Sequence, residues 1–247
     1  MNLLGSQTYE EMWALLNDLE GDEEVQVIVF DSSATDYFIM HVDLVNAGKA
    51  LREPAKSWPL FVQRLAQMPV VSIASIRGRV RGIGSEFVLS CDMRFASIEK
   101  AILGQPEVGA GVIPAGSGLE WLPRLVGRSR ALEICLGSDD FDAKTAELYG
   151  YINRALPDDD LDAFVDNFAR RIASFPKYPL SQSKAIINNR AGLPRPEDIR
   201  YALDIFEQCK NIPEIQERIK RLFEAGLQKN SKLELDLGKA LAEIYSA

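Results

Sequence analysis

Histidine is almost missing from this sequence and cysteine is sparse. His41 is the one histidine, and the three cysteines are Cys91, Cys135 and Cys209. An odd cysteine count without a CxxC pair gives no disulfide framework, and reduced thiols are the plain reading. One histidine and scattered cysteines leave too few ligands for a zinc site of the His/Cys type, so no metal is expected. Basic charge is also in deficit, with 28 Lys and Arg against 36 Asp and Glu and a formal net charge of -8. A nucleic-acid binder usually shows the reverse, a basic face that neutralises phosphates. Long apolar runs are lacking too: none approaches the ~20 residues that span a bilayer. The N-terminal stretch MNLLGSQTYEEMWALLNDLE has no basic segment of the kind that opens a signal peptide, so a soluble, cytoplasmic protein is expected. Neither a P-loop, nor the dinucleotide fingerprint, nor G-x-S-x-G occurs.

What is present is ample apolar material. The chain has 247 residues, 47% of them hydrophobic. That suffices for one domain, or for one domain with a small helical appendix. Helical spacing of Met12, Leu15, Leu16 and Leu19 predicts a helix over Thr8–Leu19, with Thr8 and Glu11 reading as a capping box. VQVIVFD (25–31) and PVVSIASI (69–76) read as buried strands, with helical spacing between them over Leu51–Met68. The segment after residue 31 reads as loop with a possible short strand. RGRVRGIG (77–84) reads as a glycine-rich turn opening the helix SEFVLSCD (85–92). MRFAS (93–97) and AILGQPE (101–107) read as strands. Beyond Gly127 helices dominate. Two end at Gly137 and Gly150, the residue helices favour at their C-terminus. Others are predicted over 161–174, 181–189, 196–210, 213–229 and 232–245. Strand–helix alternation followed by helices indicates an α/β layer architecture with largely parallel strands.

The local chemistry centres on the glycine turn. A turn that opens a helix leaves backbone N–H groups unpaired, and these stabilise negative charge, whether a phosphate or the oxygen of a thioester carbonyl. A tight turn with no ligand fits the spacing equally well. Glu86 lies just inside that helix among apolar residues, where an exposed, merely stabilising Glu is the bland alternative. Glu107 ends the predicted strand AILGQPE, where burial would raise its proton affinity. Two carboxylates in one apolar pocket would split into an acid and a base. They are 21 residues apart, so one helix cannot pair them but a helix–strand–strand excursion can. His41 reads as a loop residue or a base. Ser181-Gln-Ser-Lys184 matches S-x-x-K but lacks the accompanying motifs, and reads as a helix start.

The run from PVVSIASIRGRVRGIGSEFVLSCD through GQPEVGAGVIPAGSG, RLVGRSRALEICLG and AELYGYI resembles the central signature of crotonase-like proteins, the enoyl-CoA hydratase/isomerase family. VQVIVFDSSATDYFIMHVDL resembles the upstream oxyanion segment. The likeness covers roughly Tyr9–Asn189, about three quarters of the chain. It implies a spiral of ββα units (1–189) with a helical C-terminal region (190–247), assembled as a homotrimer or homohexamer. It implies an acyl-CoA or enoyl-CoA thioester whose CoA is part of the substrate, with no separate cofactor. The thioester oxygen would be held by the Val42 and Ile83 N–H groups, and Glu86 and Glu107 fall where the family's hydratases carry their two glutamates. The implied activity is hydration of an enoyl-CoA by a lyase of fatty acid metabolism. An isomerase using Glu107 as proton shuttle, or a catalytically silent scaffold, are the alternatives; an RNA-binding homologue is opposed by the acidic balance.

Several positions depart from the family pattern. Met40-His41-Val42-Asp43 stands where A-G-A-D or A-G-G-D is usual, and bulky Val42 and Ile83 replace small residues. Arg77, Arg79 and Arg81 replace neutral residues, and either meet CoA phosphates or are solvated. The strand pair that normally precedes the first helix, and helps hold the CoA nucleotide, is expected to be absent.

Overall fold

The computed structural model describes residues 2–46 and 56–244. The first helix, α1 (Ser6–Gly21), leads to strands β1 (Val27–Phe30) and β2 (Tyr37–Ile39) and helix α2 (Trp58–Gln67). Two further rounds follow: β3 (Val71–Ile76), β4 (Arg79–Arg81) and α3 (Ile83–Ser90), then β5 (Met93–Ser97), β6 (Ile102–Gly104) and α4 (Glu107–Ala110). Next come α5 (Gly118–Leu125), α6 (Arg128–Gly137), β7 (Asp140–Asp142), α7 (Ala143–Tyr149) and β8 (Arg154–Leu156). The chain finishes in helices: α8 (Asp158–Ala173), α9 (Lys177–Ala191), α10 (Pro196–Lys210), α11 (Pro213–Ala225), α12 (Lys232–Leu235) and α13 (Leu237–Glu243).

From β1 to β6 successive strands enter alternate sheets, which makes the spiral. One sheet runs β1-β3-β5-β8, parallel throughout, and the other runs β2-β4-β6-β7, parallel except at β6–β7. β3 is buried along its whole length, so it reads as an unbroken apolar run with Ser72 and Ser75, as central parallel strands do. Helix α8 covers one face of the first sheet through Leu161 and Val165, and Phe164 and Phe168 meet Phe95 edge-on. On the other side Tyr9, Trp13, Trp58, Phe61 and Phe87 join α1, α2 and α3 in one aromatic cluster. The predicted ββα spiral is thus the observed architecture.

Local departures have local causes. RGRVR is not all turn: Arg79–Arg81 is a strand, with Val80 and Arg81 buried. Helix α1 starts two residues before Thr8, after Gly5, so Thr8 is no N-cap and no capping box forms. Helix α6 includes Gly137, and Ser138 takes the left-handed position at φ 52°; at Gly150 the glycine cap is as expected. α9 begins at Lys177, which leaves Ser181 and Lys184 in its interior. There Lys184 donates to Asp92 Oδ2 at 2.7 Å and to the Val70 carbonyl at 2.8 Å, tying α9 to the sheet. The helical spacing from Leu51 lies partly, and Tyr245 wholly, outside the described residues. No described helix is long and apolar enough to cross a membrane.

Candidate active site

The second sheet brings the oxyanion segment against the start of α3. Just past β2, Val42 forms a parallel bridge with Leu4. Leu4 donates its N–H to the His41 carbonyl at 2.9 Å and accepts from the Asp43 N–H at 3.0 Å. A parallel bridge of this kind uses the residues flanking Val42 and turns Val42's own N–H and C=O the other way. The carbonyl takes the Gln228 side-chain amide at 2.8 Å, and the N–H has no acceptor among the described residues. Ile83 opens α3, so its N–H has no partner within the helix; it too has none among the described residues. Gly82, before it, has φ 52°. A β-carbon there would stand 2.7 Å from Glu107 Oε1, and only glycine fits both the dihedral and that approach.

Glu86 follows one turn along α3 and is 2% exposed. Its Oε1 accepts the N–H groups of Gly116, at 2.7 Å, and Gly118, at 2.9 Å. The Gly116 carbonyl in turn accepts Trp58 Nε1–H at 2.7 Å, so α2 props the loop that holds Glu86. Burial pushes the Glu86 carboxyl up to about 7 against the two amide bonds, and the Glu120 charge adds to the rise. Glu107 begins α4, one residue after Pro106, and does not end a strand as the sequence suggested. Its carboxyl is raised well above the ordinary range, by burial first and the Glu86 charge second. Its Oε2 is buried without a hydrogen-bond partner.

Val42, Ile83, Glu86 and Glu107 all line one cavity of about 290 Å³. Around them the wall is mostly apolar: Trp58, Val112 and Ile113 on the core side, Leu203 and Phe206 from α10, Ile219 and Phe223 from α11. No cluster suited to a metal occurs among the described residues. Two amides without acceptors among the described residues, two buried carboxyls with raised proton affinity and a mostly apolar wall form an arrangement capable of acid/base chemistry.

Comparison with known proteins points the same way. The sequence profile of the enoyl-CoA hydratase/isomerase family matches residues 1–229. The chain belongs to the enoyl-CoA hydratase/isomerase family. It is 26% identical over 213 residues to a short-chain-enoyl-CoA hydratase of Clostridium acetobutylicum, spanning 85% of this chain and 81% of that one. A mitochondrial enoyl-CoA hydratase candidate of Dictyostelium discoideum is 28% identical over 208 residues, spanning 83% of this chain and 74% of that one. The crystal structure of a candidate enoyl-CoA hydratase from Streptomyces avermitilis superposes with a TM-score of 0.92 at 45% identity, covering 98% of this chain and 89% of that one.

Within this crotonase fold the three arginines of the glycine segment are occupied by the protein itself. Arg77 pairs with Asp158 at 2.8 Å and Asp162 at 2.6 Å, and Arg79 donates to the Leu235 carbonyl at 2.7 Å. Arg81 is fully buried; it clasps both carboxylate oxygens of Asp140, at 2.7 and 2.6 Å, and donates to the Glu234 carbonyl at 2.6 Å. His41 lies outside any helix or strand, as the loop reading had it, but it is buried. It is 7% exposed and lies 3.0 Å through Nε2 from Glu234. Sequence reasoning missed Glu234 and Gln228 altogether, since nothing local marks them; their partners are 193 and 186 residues away.

Proposed function

We propose that this family member hydrates an enoyl-CoA thioester. The observation that carries the reading is the meeting of Glu86 and Glu107 in one largely apolar cavity, beside two backbone N–H groups without acceptors. The Val42 and Ile83 amides would hold the thioester oxygen and stabilise the enolate that forms as the β-carbon is attacked. Glu86, with Oε1 fixed by two amides, would direct water through Oε2 and take its proton. Glu107 would deliver a proton to the α-carbon. Burial raises the proton affinity of both carboxyls, bringing Glu86 to about 7, where acid/base work at neutral pH requires it. CoA enters as part of the substrate, and no separate cofactor takes part in this scheme.

Glu107 could also shuttle a proton by itself, since its Oε2 is unpartnered; that favours isomerisation of the double bond as a second reading. The two are separated by incubating the protein with crotonyl-CoA and with a 3-enoyl-CoA and analysing the products. Under the hydratase reading, Glu86→Gln and Glu107→Gln each lower hydration by several orders of magnitude. Hydration at the wild-type rate by both variants overturns it, and double-bond migration that survives Glu86→Gln but not Glu107→Gln establishes the isomerase. Absence of thioester binding at millimolar ligand leaves a silent scaffold. A homotrimer or homohexamer is the proposed assembly; apolar side chains exposed on α6, α7 and α9, such as Leu136, Leu148 and Ile187, fit subunit contacts, and light scattering tests it.

A further inference from the structure

The first oxyanion segment is held from behind by residues near the C-terminus. Glu234 is fully buried, and its Oε1 takes both His41 Nε2 at 3.0 Å and the Gln228 backbone N–H at 2.5 Å. Gln228 Nε2 donates to the Val42 carbonyl at 2.8 Å and lies 3.3 Å from His41 Nδ1. His41 Nδ1 also lies 3.1 Å from the Val42 carbonyl, so Glu234 Oε1, His41 and Gln228 form one cluster behind that carbonyl, with Glu234 Oε2 buried beside it and unpartnered. Gln228 itself is held at φ 60°. A non-glycine residue keeps such a conformation only where its surroundings enforce it. They do: the backbone bond to Glu234 and the anchoring of the Glu234 and Leu235 carbonyls by Arg81 and Arg79 fix the loop.

We propose that Gln228 and Glu234 are positioning residues for the Val42 amide. The Val42 carbonyl and N–H share one residue, and both turn away from Leu4. Leu4 holds both peptide units that flank the Val42 α-carbon, through the His41 carbonyl and the Asp43 N–H, and Gln228 holds the second of them from the opposite edge through the Val42 carbonyl, which limits rotation about Val42 and so the direction of its N–H. Glu234 sets where Gln228 stands, directly through its backbone and indirectly through His41. Gln228 and Glu234 therefore support the oxyanion segment from outside the cavity, which their neighbours Leu227 and Leu237 line. This rests on the hydratase/isomerase reading of the Val42 amide given above. It predicts that loss of the clamp weakens stabilisation of charge on the thioester oxygen more than it weakens binding.

The test uses the full chain and two measurements. One is the kcat and KM for crotonyl-CoA. The other is the red shift of the ultraviolet band of 2,4-hexadienoyl-CoA at saturation, which reports polarisation of the bound carbonyl and which mere loss of folded protein would not change per bound ligand. Gln228→Ala and Glu234→Ala are expected to lower kcat about ten- to a hundredfold, the scale for a misplaced catalytic group, with KM changed little and the red shift diminished. Glu234→Gln, which keeps the accepting oxygen, is expected to restore most of both. Gln228→Ala removes one side-chain amide from a partly exposed site, so it folds even if Glu234→Ala does not. Wild-type kcat and full red shift in Gln228→Ala overturn the positioning role and leave the hydratase reading intact. No red shift in the wild-type protein overturns both.

Discussion

A β-carbon at Gly116 would lie 2.2 Å from Oε2 of Glu86. The loop backbone is therefore packed directly onto the carboxylate it binds, with no space for a methyl group. Gly116→Ala is expected to push Glu86 out of line and cost about a hundredfold in hydration rate. The strain should cost only ~1–3 kcal/mol of stability, the usual range for one extra methyl group in a packed core. Rates normalised to folded protein, with urea denaturation in parallel, check both; an unimpaired rate would remove Glu86 from the mechanism.

The Glu86 carboxyl also tilts stability with pH. An ordinary carboxyl loses its proton near 4.5, whereas this one holds it to about 7. Between those values the native protein binds more protons than the unfolded chain, so this residue's contribution to stability falls as pH rises and is level above about 7. Glu86→Gln removes that slope. The variant should gain on the wild type by up to ~1.4 kcal/mol per pH unit across the window. Glu107 is shifted in the same direction and keeps some slope in both proteins. Denaturation midpoints from pH 4.5 to 8 measure the difference, and parallel curves would contradict it.

Arg81 is a buried charge whose partners lie in three places: Asp140, the Glu234 carbonyl and the Leu235 carbonyl. Arg81→Met takes the ion pair from Asp140 and the side-chain donor from the Glu234 carbonyl, while the Leu235 carbonyl keeps Arg79, at an expected cost of about 3 kcal/mol. The damage should concentrate in the C-terminal segment. Hydrogen exchange should rise first over residues 226–241, and pairing the change with Asp140→Leu should recover part of the loss.

The apolar wall from α10 and α11 limits what the cavity can hold. Leu203→Trp fills part of its ~290 Å³. It should lower kcat/KM for longer acyl chains tenfold or more while sparing crotonyl-CoA, since discrimination between homologous chains runs at about 1–3 kcal/mol per methylene. A chain-length series read by loss of the conjugated thioester band decides it.

Periodicity carried the core well. β3 and α3 are recognisable because burial on all sides leaves an apolar run, and the strand-helix alternation implied the spiral. The arginines misled: RGRVR looks like a polar turn because Asp140 and residues 234–235, which make Arg81 acceptable inside, are distant in the chain. Glu107 was placed at a strand end since nothing in GQPE shows that Pro106 starts a helical turn. Local chemistry made Glu86 and Glu107 plausible as a pair; the resemblance raised them to positional candidates and added Val42 and Ile83. Neither spacing nor resemblance reached Glu234, whose contact with His41 exists only once two distant segments touch.

Helix α3 begins with the Ile83 amide and carries Glu86 one turn later. The interval between their backbones is set by one turn of helix, like marks on a ruler, while the Gly116 and Gly118 amides hold the Glu86 carboxylate at its mark. Val42 and Glu107 arrive on other pieces of chain. The site is thus graduated along one helix and read against it by two residues that the rest of the chain delivers separately.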